Sequence, residues 1–464
     1  MNATSYEVVL YKIRDRGEAR PKRYNCRWRV APNPKAFSRS YVTKSQAKAF
    51  NGDLQAAMNR GEAFDLVKGL PLSMLRAEEA RTEPTWLDLA TSYALFAWGR
   101  NRGNSRSGTA SMLIDITVAF LPEMPAQRRN QVRLALRHWA FKKTDAEPDA
   151  DTAALLAWIQ DRCPKISAAV EPARLRSVLD RLTLKLDGKP ASAATFAKRK
   201  VILHAALEYA ITEELLTHNP LDASTLRWET PKKLKVVKVV KPQQIGNTQQ
   251  VEHLLTAVSY VGAGQGPRFV AFFACMYHAM MRPEEVVALQ RDQCELPEQG
   301  WGRLVLEAAE PDVGADWTDS GERHERQELK HRGVGETRPV PIPPRLVGLL
   351  REHIRRFGVG ADGKLFRTLN GNPIQSSTYR HVLLAARDLA YGPVERGSLR
   401  LRKAYDLRHS GIVLRLYAGI PPKQVAMWAG HSVQVLHQKY DNVLEGYDAH
   451  WHQKIDAALN SEPA

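Results

Sequence analysis

Residues 230–244, TPKKLKVVKVVKPQQ, carry Lys232, Lys233, Lys235, Lys238 and Lys241 with no acid among them. Pro231 and Pro242 bracket the stretch and its valines favour extended backbone, so it reads as a strap between folded units. A chain of 464 residues is too long for one ordinary core and suggests two to four domains. The strap divides that chain into a part before and a part after it. Its lysines suit it to lie along a polyanion.

The bulk charge agrees. The chain has 67 Lys and Arg against 50 Asp and Glu, a net charge of +17, which points to a polyanionic partner. In the first 50 residues 12 basic side chains face 3 acids, a local +9. There Tyr24, Cys26, Trp28 and Val30 alternate with Arg23, Asn25, Arg27 and Arg29 at strand period, which predicts a sheet with one arginine-rich face. Strands are expected near Tyr6–Ile13, Tyr24–Val30 and Ala36–Val42. A helix from about Ser45 would pack Ala47, Phe50, Leu54 and Ala57 on them. Such a module would use Arg27 and Arg29 to grip a phosphate backbone or a groove. Gly69, Pro71 and the charged run from Arg76 to Pro84 read as a linker.

From Thr85 to about Asn219 the apolar period is helical throughout, with segments expected near 85–98, 106–120, 126–141, 151–161, 168–184 and 191–214. Lys198, Arg199 and Lys200 precede the apolar stripe of Leu203, Ala206, Leu207 and Ala210, giving one helix a basic edge. After the strap the pattern is mixed. Thr248 opens a helix, Phe269, Phe272 and Phe273 mark a buried one, and Arg282-Pro283-Glu284-Glu285 starts another, since Pro suits the first helical position and acids the first turn. Strands are expected at Leu304–Leu306, Gln327–Lys330 and Thr337–Ile342. The last two are expected to form a hairpin around Gly333 and Gly335, with Pro339 and Pro341 making the second an edge. The polar insert Ala309–Arg326 is expected to be mobile. Helices resume at 344–355, 376–391, 408–418, 422–429 and 433–440.

The fold class is therefore multidomain α+β. A small N-terminal three-stranded sheet plus helix is followed by an all-α domain and a mainly α domain with a small antiparallel sheet. The expected boundaries are 1–65, a linker at 66–84, a helical domain at 85–229, the basic strap at 230–244 and the last domain at 245–464. No apolar run approaches the ~20 residues that span a bilayer and the N-terminus has no signal-peptide core, so a cytoplasmic location is expected. Cys26, Cys163, Cys275 and Cys294 form no CxxC pair and read as reduced structural residues.

The last domain carries groups suited to breaking a phosphodiester. Two guanidiniums can hold phosphate oxygens bidentately, a cation can protonate the leaving oxygen, and a hydroxyl can attack. A paired acidic motif, HExxH and a Walker loop are all missing from the sequence, so neither metal nor cofactor is expected. WAGHSVQVLHQKYDN, Trp428 to Asn442, predicts a helix ending at Gly430, a turn at His431 and Ser432, and a second helix carrying Tyr440.

The order Arg282-x-x-Glu285, Lys330, Leu407-Arg408-His409, Gly430-His431 and Tyr440, with nine residues from His431 to Tyr440, resembles the tyrosine recombinase (phage integrase) family. The resemblance covers about 245–450 by motif. Upstream it is architectural: the basic sheet resembles an arm-site DNA-binding domain and the helical part a core-binding domain. It implies that Arg282 and Arg408 clamp the scissile phosphate, that Glu285 orients Arg282, that Lys330 is the general acid toward the 5′ oxygen, that His431 donates to the phosphate, and that Tyr440 is the nucleophile. Only Lys330, Lys364 and Lys403 lie between the two arginines. One position departs from the family's His-x-x-Arg pattern: in AYDLRH its first residue is Tyr405. The usual proton acceptor is therefore missing: Tyr405 is expected to line the site and could hydrogen-bond to phosphate or to Tyr440, water could accept the proton, or His409 could help from one residue beyond Arg408.

What the resemblance implies is a site-specific DNA recombinase, an integrase of a phage or another mobile element. It would form a 3′-phosphotyrosyl intermediate and act as a homotetramer on double-stranded core and arm sites, with an accessory directionality factor. Lys198, Arg199, Lys232, Lys233 and Lys235 would contact DNA. A non-catalytic DNA-binding regulator and a one-strand topoisomerase stay open at this point.

Overall fold

The structure, a computed structural model, describes residues 4–17, 22–75, 83–185, 187–234, 240–262, 264–330, 332–333, 335–444 and 448–460. Lys235 and Lys238 of the strap lie outside the described residues.

The N-terminal part is organised on β4 (Tyr24–Val30). β5 (Phe37–Tyr41) pairs antiparallel with one edge of it, while β2 (Val8–Leu10) and β3 (Arg14–Asp15) share the other. The first strand, expected unbroken over Tyr6–Ile13, is thus split, and the sheet counts four strands where three were expected. Cys26, Trp28 and Val30 are buried and Arg27 and Arg29 exposed, as the alternation requires, whereas Asn25 is drawn inward and bonds the Ser40 hydroxyl at 2.9 Å. α1 (Lys44–Asn59), capped by Thr43 and Gln46, lays Ala47, Phe50, Leu54 and Ala57 on the sheet. A second small pair, β1 (Thr4–Ser5) with β6 (Phe64–Asp65), closes the end of this layer. Leu70 and Leu75 join the same core and the Trp28 indole donates to the Gly69 carbonyl. The expectation that linker begins at residue 66 is therefore corrected: residues through Leu75 fold with the sheet, because their leucines have apolar surface to bury.

The helical part comprises α2 (Trp86–Arg100), α3 (Gly103–Phe120), α4 (Ala126–Ala135, continued as a wider turn through Ala140), α5 (Ala150–Arg162), α6 (Ile166–Ala169), α7 (Pro172–Leu182) and α8 (Ala193–Thr212). They enclose one apolar core in which the Trp86 indole donates to Thr117 at 2.9 Å. The described ends of the strap are short 3₁₀ turns, Lys232–Leu234 and Pro242–Gln244, where extended backbone was expected. Leu234 is buried in the helical core, while Val240 is buried beside Tyr440 and donates its N–H to the Lys439 carbonyl at 2.9 Å. Farther on, the Gly246 N–H donates to the Ser410 hydroxyl at 3.0 Å.

The remaining helices are α9 (Thr248–Val258), α10 (Pro267–His278), α11 (Pro283–Ala288), α12 (Pro344–Phe357), α13 (Ser376–Ala390), α14 (Pro393–Gly397), α15 (Ala404–Tyr417), α16 (Pro422–Ala429), α17 (Val433–Leu444) and α18 (Asp448–Asn460). Their sheet has the order β11 (Arg338–Ile342), β8 (Gly302–Leu306), β7 (Cys294–Glu295), with the proline-bearing β11 at its edge as expected. The expected hairpin between Gln327–Lys330 and Thr337–Ile342 does not form. β10 (Gln327–Glu328) pairs with β9 (Ala308–Ala309) and β11 with β8, so both join the strand running through 302–309. The insert between β9 and β10, expected to be mobile, instead packs: Trp317 is 3% exposed and lies in the core of the helical part. Its indole has more apolar surface to bury there than an acidic composition suggests.

Among the described residues no helix is long and apolar enough to cross a membrane. The four cysteines are free and buried. α15 rests on α10 at Gly411, where an added Cβ would overlap the Tyr277 carbonyl oxygen. Gly411→Ala should therefore lower unfolding stability by about 1–3 kcal/mol, read as a reduced urea midpoint at unchanged slope.

Candidate active site

Glu285 and Arg338, each 1% exposed, form the centre of the site. Glu285 accepts from Arg338 through both oxygens, at 3.0 and 2.6 Å, and from the Arg282 side chain at 2.6 Å and its N–H at 2.8 Å. Arg408 Nη1 lies 3.9 Å from the same carboxylate. Burial alone would raise the Glu285 pKa, but Arg338, then Arg282 and Arg408, hold it well below the usual carboxylate range.

Arg282 and Arg408 are also tied to backbone. Arg282, at the junction before α11, donates to the Gly430 carbonyl at 2.9 Å. Arg408, fully buried on α15, donates to the carbonyls of Met280 and Ala429, and its Nη2 lies 3.0 Å from His431 Nε2. Met280 presents that carbonyl from a left-handed conformation, φ 52, a strained geometry of the kind stored at functional sites. Gly430 ends α16 at φ 64, ψ 49, and a Cβ there would overlap Arg338 Nη1. Only glycine satisfies both demands.

α17 then carries Tyr440, 0% exposed, among Met280, Ile412, Leu416, Leu436 and Val443. Its hydroxyl lies 2.7 Å from His409 Nδ1. Burial pushes the Tyr440 pKa up, against the opposing charge of Arg408. Burial, then the charges of Arg408 and Lys439, push His409 down to about 3, so at neutral pH its ring is uncharged and able to accept a proton. His431 is pushed down to about 2, chiefly by burial and then by Arg408 and Arg282. Its Nδ1 finds no hydrogen-bond partner. Tyr405 packs edge-on against His409, ring centroids 5.0 Å apart, with the Arg408 guanidinium carbon 5.7 Å from its own ring.

The structure thus brings Arg282, Glu285, Tyr405, Arg408, His409, His431 and Tyr440 together. Lys330 is exposed, in the turn after β10, close enough that its charge is felt at Lys439. Two neighbours escaped the sequence reading. Arg338 was visible only as a polar residue opening the strand RPVPI, and Lys439 only as the residue before Tyr440. Lys439 is half-buried, its pKa lowered by burial and by the nearby Arg408, Arg282 and Lys330 despite the opposing effect of Tyr405, and among the described residues no carboxylate pairs with it. Arg282, Arg338 and Arg408 therefore gather round the buried carboxylate of Glu285, with the Lys439 charge close to two of them, a positive cluster suited to a phosphate.

Of the basic residues expected to touch a polyanion, Arg27, Arg29, Lys198 and Lys232 are exposed. Arg199 is not available: it is 6% exposed, paired with Asp115 at 2.7 Å, and donates to the carbonyls of Leu182 and Leu184. It braces the helical core, a role that a basic triplet on an amphipathic helix does not reveal. Among the described residues one cluster has metal-ligand spacing, His204, Glu208 and Asp222. It lies in the helical part and already holds itself together through a 2.9 Å His204–Asp222 contact.

No family model matches the chain. The integrase of Mycobacterium phage D29 is 28% identical over 110 residues, 23% of this chain and 28% of that protein, and the integrase of Mycobacterium phage L5 is 27% identical over 118 residues, 25% and 30%. The match thus spans less than a third of the length of these relatives. Among solved structures, the Tn1549 transposon integrase in complex with transposon right end DNA overlays at a TM-score of 0.46 and 16% identity, covering 67% of this chain and 92% of that one. The order Arg282, Glu285, Lys330, Arg408, His431 and Tyr440 remains what makes the sequence resemble the tyrosine recombinases. Over the matched stretches the chain is similar to phage integrases.

Glu285→Gln would leave buried guanidiniums uncompensated and should cost about 3–5 kcal/mol of stability at neutral pH. Because the folded-state pKa is depressed, Glu285 contributes stability above the unfolded value of ~4.3 that is lost as pH falls toward the folded one. Urea unfolding of the two proteins across pH 7 to 3 should show the gap narrowing below about pH 4.3.

Proposed function

We propose that this protein is a site-specific DNA recombinase that integrates a phage or other mobile element. The observation that carries the reading is the 2.7 Å contact between His409 Nδ1 and the Tyr440 hydroxyl, set beside guanidiniums that share one carboxylate. His409 takes the phenolic proton as Tyr440 Oη attacks the scissile phosphorus. Arg282 and Arg408, with His431, stabilise charge on the non-bridging oxygens, and Glu285 with Arg338 fixes their directions. The P–O5′ bond breaks, Lys330 gives its proton to the departing oxygen, and a 3′-phosphotyrosyl link remains. The 5′ hydroxyl of a partner strand then attacks that link and returns Tyr440. One phosphodiester is exchanged for another, so no external energy source is needed.

Tyr405 occupies the family's histidine position and contributes by packing on the His409 ring. The acceptor has in effect moved one helical turn along α15, from 405 to 409. Full burial of Tyr440 means that α17 must shift for the hydroxyl to meet a duplex. The exposed Arg27 and Arg29 grip arm sites, Lys198, Lys232 and the strap lysines lie against the core site, and four protomers act on two duplexes, aided by a directionality factor.

A nicked suicide duplex carrying the core site should trap covalent DNA with the wild-type protein and none with Tyr440→Phe. An adduct with the variant would refute the nucleophile. His409→Ala should slow adduct formation about 10²–10⁴-fold at unchanged DNA affinity. Because His409 is held near 3, the wild-type cleavage rate should show no inflection around pH 6.5 attributable to it; one that disappears in His409→Ala would contradict its buried, neutral state. Removal of residues 1–75, the whole of the N-terminal core, should leave core-site binding intact and sharply reduce integration between two defined sites.

A further inference from the structure

The insert that precedes Lys330 is held by the helical part of the chain. Trp317 lies in the core of that part, its ring 5.9 Å from Trp98. Its neighbour Asp319 accepts from the Trp98 indole at 2.9 Å and from Arg106 at 2.7 Å, and Arg106 also donates to the Trp317 carbonyl at 3.2 Å. At the start of α3 the fit is tight: a Cβ on Gly103 would overlap the side chain of Val313. The grip extends to the end of the insert. Arg102 donates to the Glu328 carbonyl at 3.3 Å and pairs with its carboxylate.

Glu328 is two residues from Lys330, and Leu329 between them is 1% exposed in the core of the last domain. The insert is also pinned on its other side, where Asp312 accepts from the Ser376 N–H at 3.0 Å and from its hydroxyl at 2.9 Å. A segment seated at both ends cannot wander, and its last residues set where the following lysine starts.

We propose that residues 311–328 form a clasp through which the helical part of the chain positions Lys330 for proton transfer. The proposal rests on the reading of Lys330 as general acid. Arg102 is a positioning residue: its guanidinium touches Glu328, and the lysine is the group that meets the leaving oxygen. The arrangement makes the acid responsive to the helical part, so that leaving-group protonation is available only when both parts of the chain are seated together. A misplacement of about 1 Å at a reacting group can cost about 10²-fold in rate.

A leaving group that needs no proton tests this directly. In a suicide duplex whose scissile 5′ bridging oxygen is replaced by sulfur, the departing thiolate has a conjugate-acid pKa of about 8.5, so general-acid help becomes dispensable. With full-length protein, Arg102→Ala should slow cleavage of the ordinary duplex about 10²-fold and cleave the sulfur-bridged duplex at close to the wild-type rate. Trp317→Ala should behave alike if it folds, and Arg102→Ala, at a half-exposed side chain, keeps the test valid if it does not. Lys330→Ala serves as the reference for a lost acid and should be rescued in the same way. Equal loss of Arg102→Ala on both duplexes, or no loss on either, overturns the clasp. Failure of Lys330→Ala to be rescued overturns the assignment of the acid, and a wild-type protein that traps neither duplex overturns the recombinase reading itself.

Discussion

One carboxylate holds the arginine cluster together. Glu285 takes hydrogen bonds from two buried arginines and sits near a third, and those arginines come from the start of α11, the edge strand β11 and the middle of α15. Buried charges are tolerated only when paired and hydrogen-bonded, so the three elements are held at distances that keep the cluster neutralised as far as one anion can. Arg408 spends its remaining donors on the carbonyls of Met280 and Ala429, which locks the strained turn before α11 and the end of α16 to the same point. The three arginines near Tyr440 are therefore referenced to Glu285. One carboxylate among three guanidiniums leaves the cluster with residual positive charge.

Much of this was legible without coordinates. The helices from 85 to 219 and the pair flanking Gly430 follow from apolar period and from glycine's access to positive φ, both local properties of the chain. The arginine-rich face of β4 follows from alternation in the same way. Motif order brought Arg282, Arg408, His431 and Tyr440 to attention, and the structure gathers them. What escaped depends on tertiary partners. Arg338 looks like any polar residue at a strand start, and its role appears only when β11 pairs with β8 and aims it at Glu285. Arg199 looks like a DNA ligand until Asp115 arrives from α3. His409 and Tyr405 could not be ranked from sequence, because the choice turns on which of two residues on α15 reaches a hydroxyl on α17.

The insert shows the same limit in a different form. Its acidic composition suggests solvent, yet a single tryptophan and three carboxylates, those of Asp316, Asp319 and Glu325, find complementary groups on α2, α3 and Lys142. Composition reports average preference for water. It does not report whether a basic, aromatic surface lies within reach.

The two ends of the basic strap have a mechanical consequence. Leu234 is seated in the core of the helical part and Val240 against the helix of Tyr440, its N–H on the Lys439 carbonyl. Six residues cannot span more than ~20 Å. That length is a leash with fixed slack: if the two parts draw apart beyond it, one anchor must give. Release of Val240 would loosen α17 beside the buried Tyr440 hydroxyl. Separation between distant parts of the chain is thereby converted into slackening at one atom.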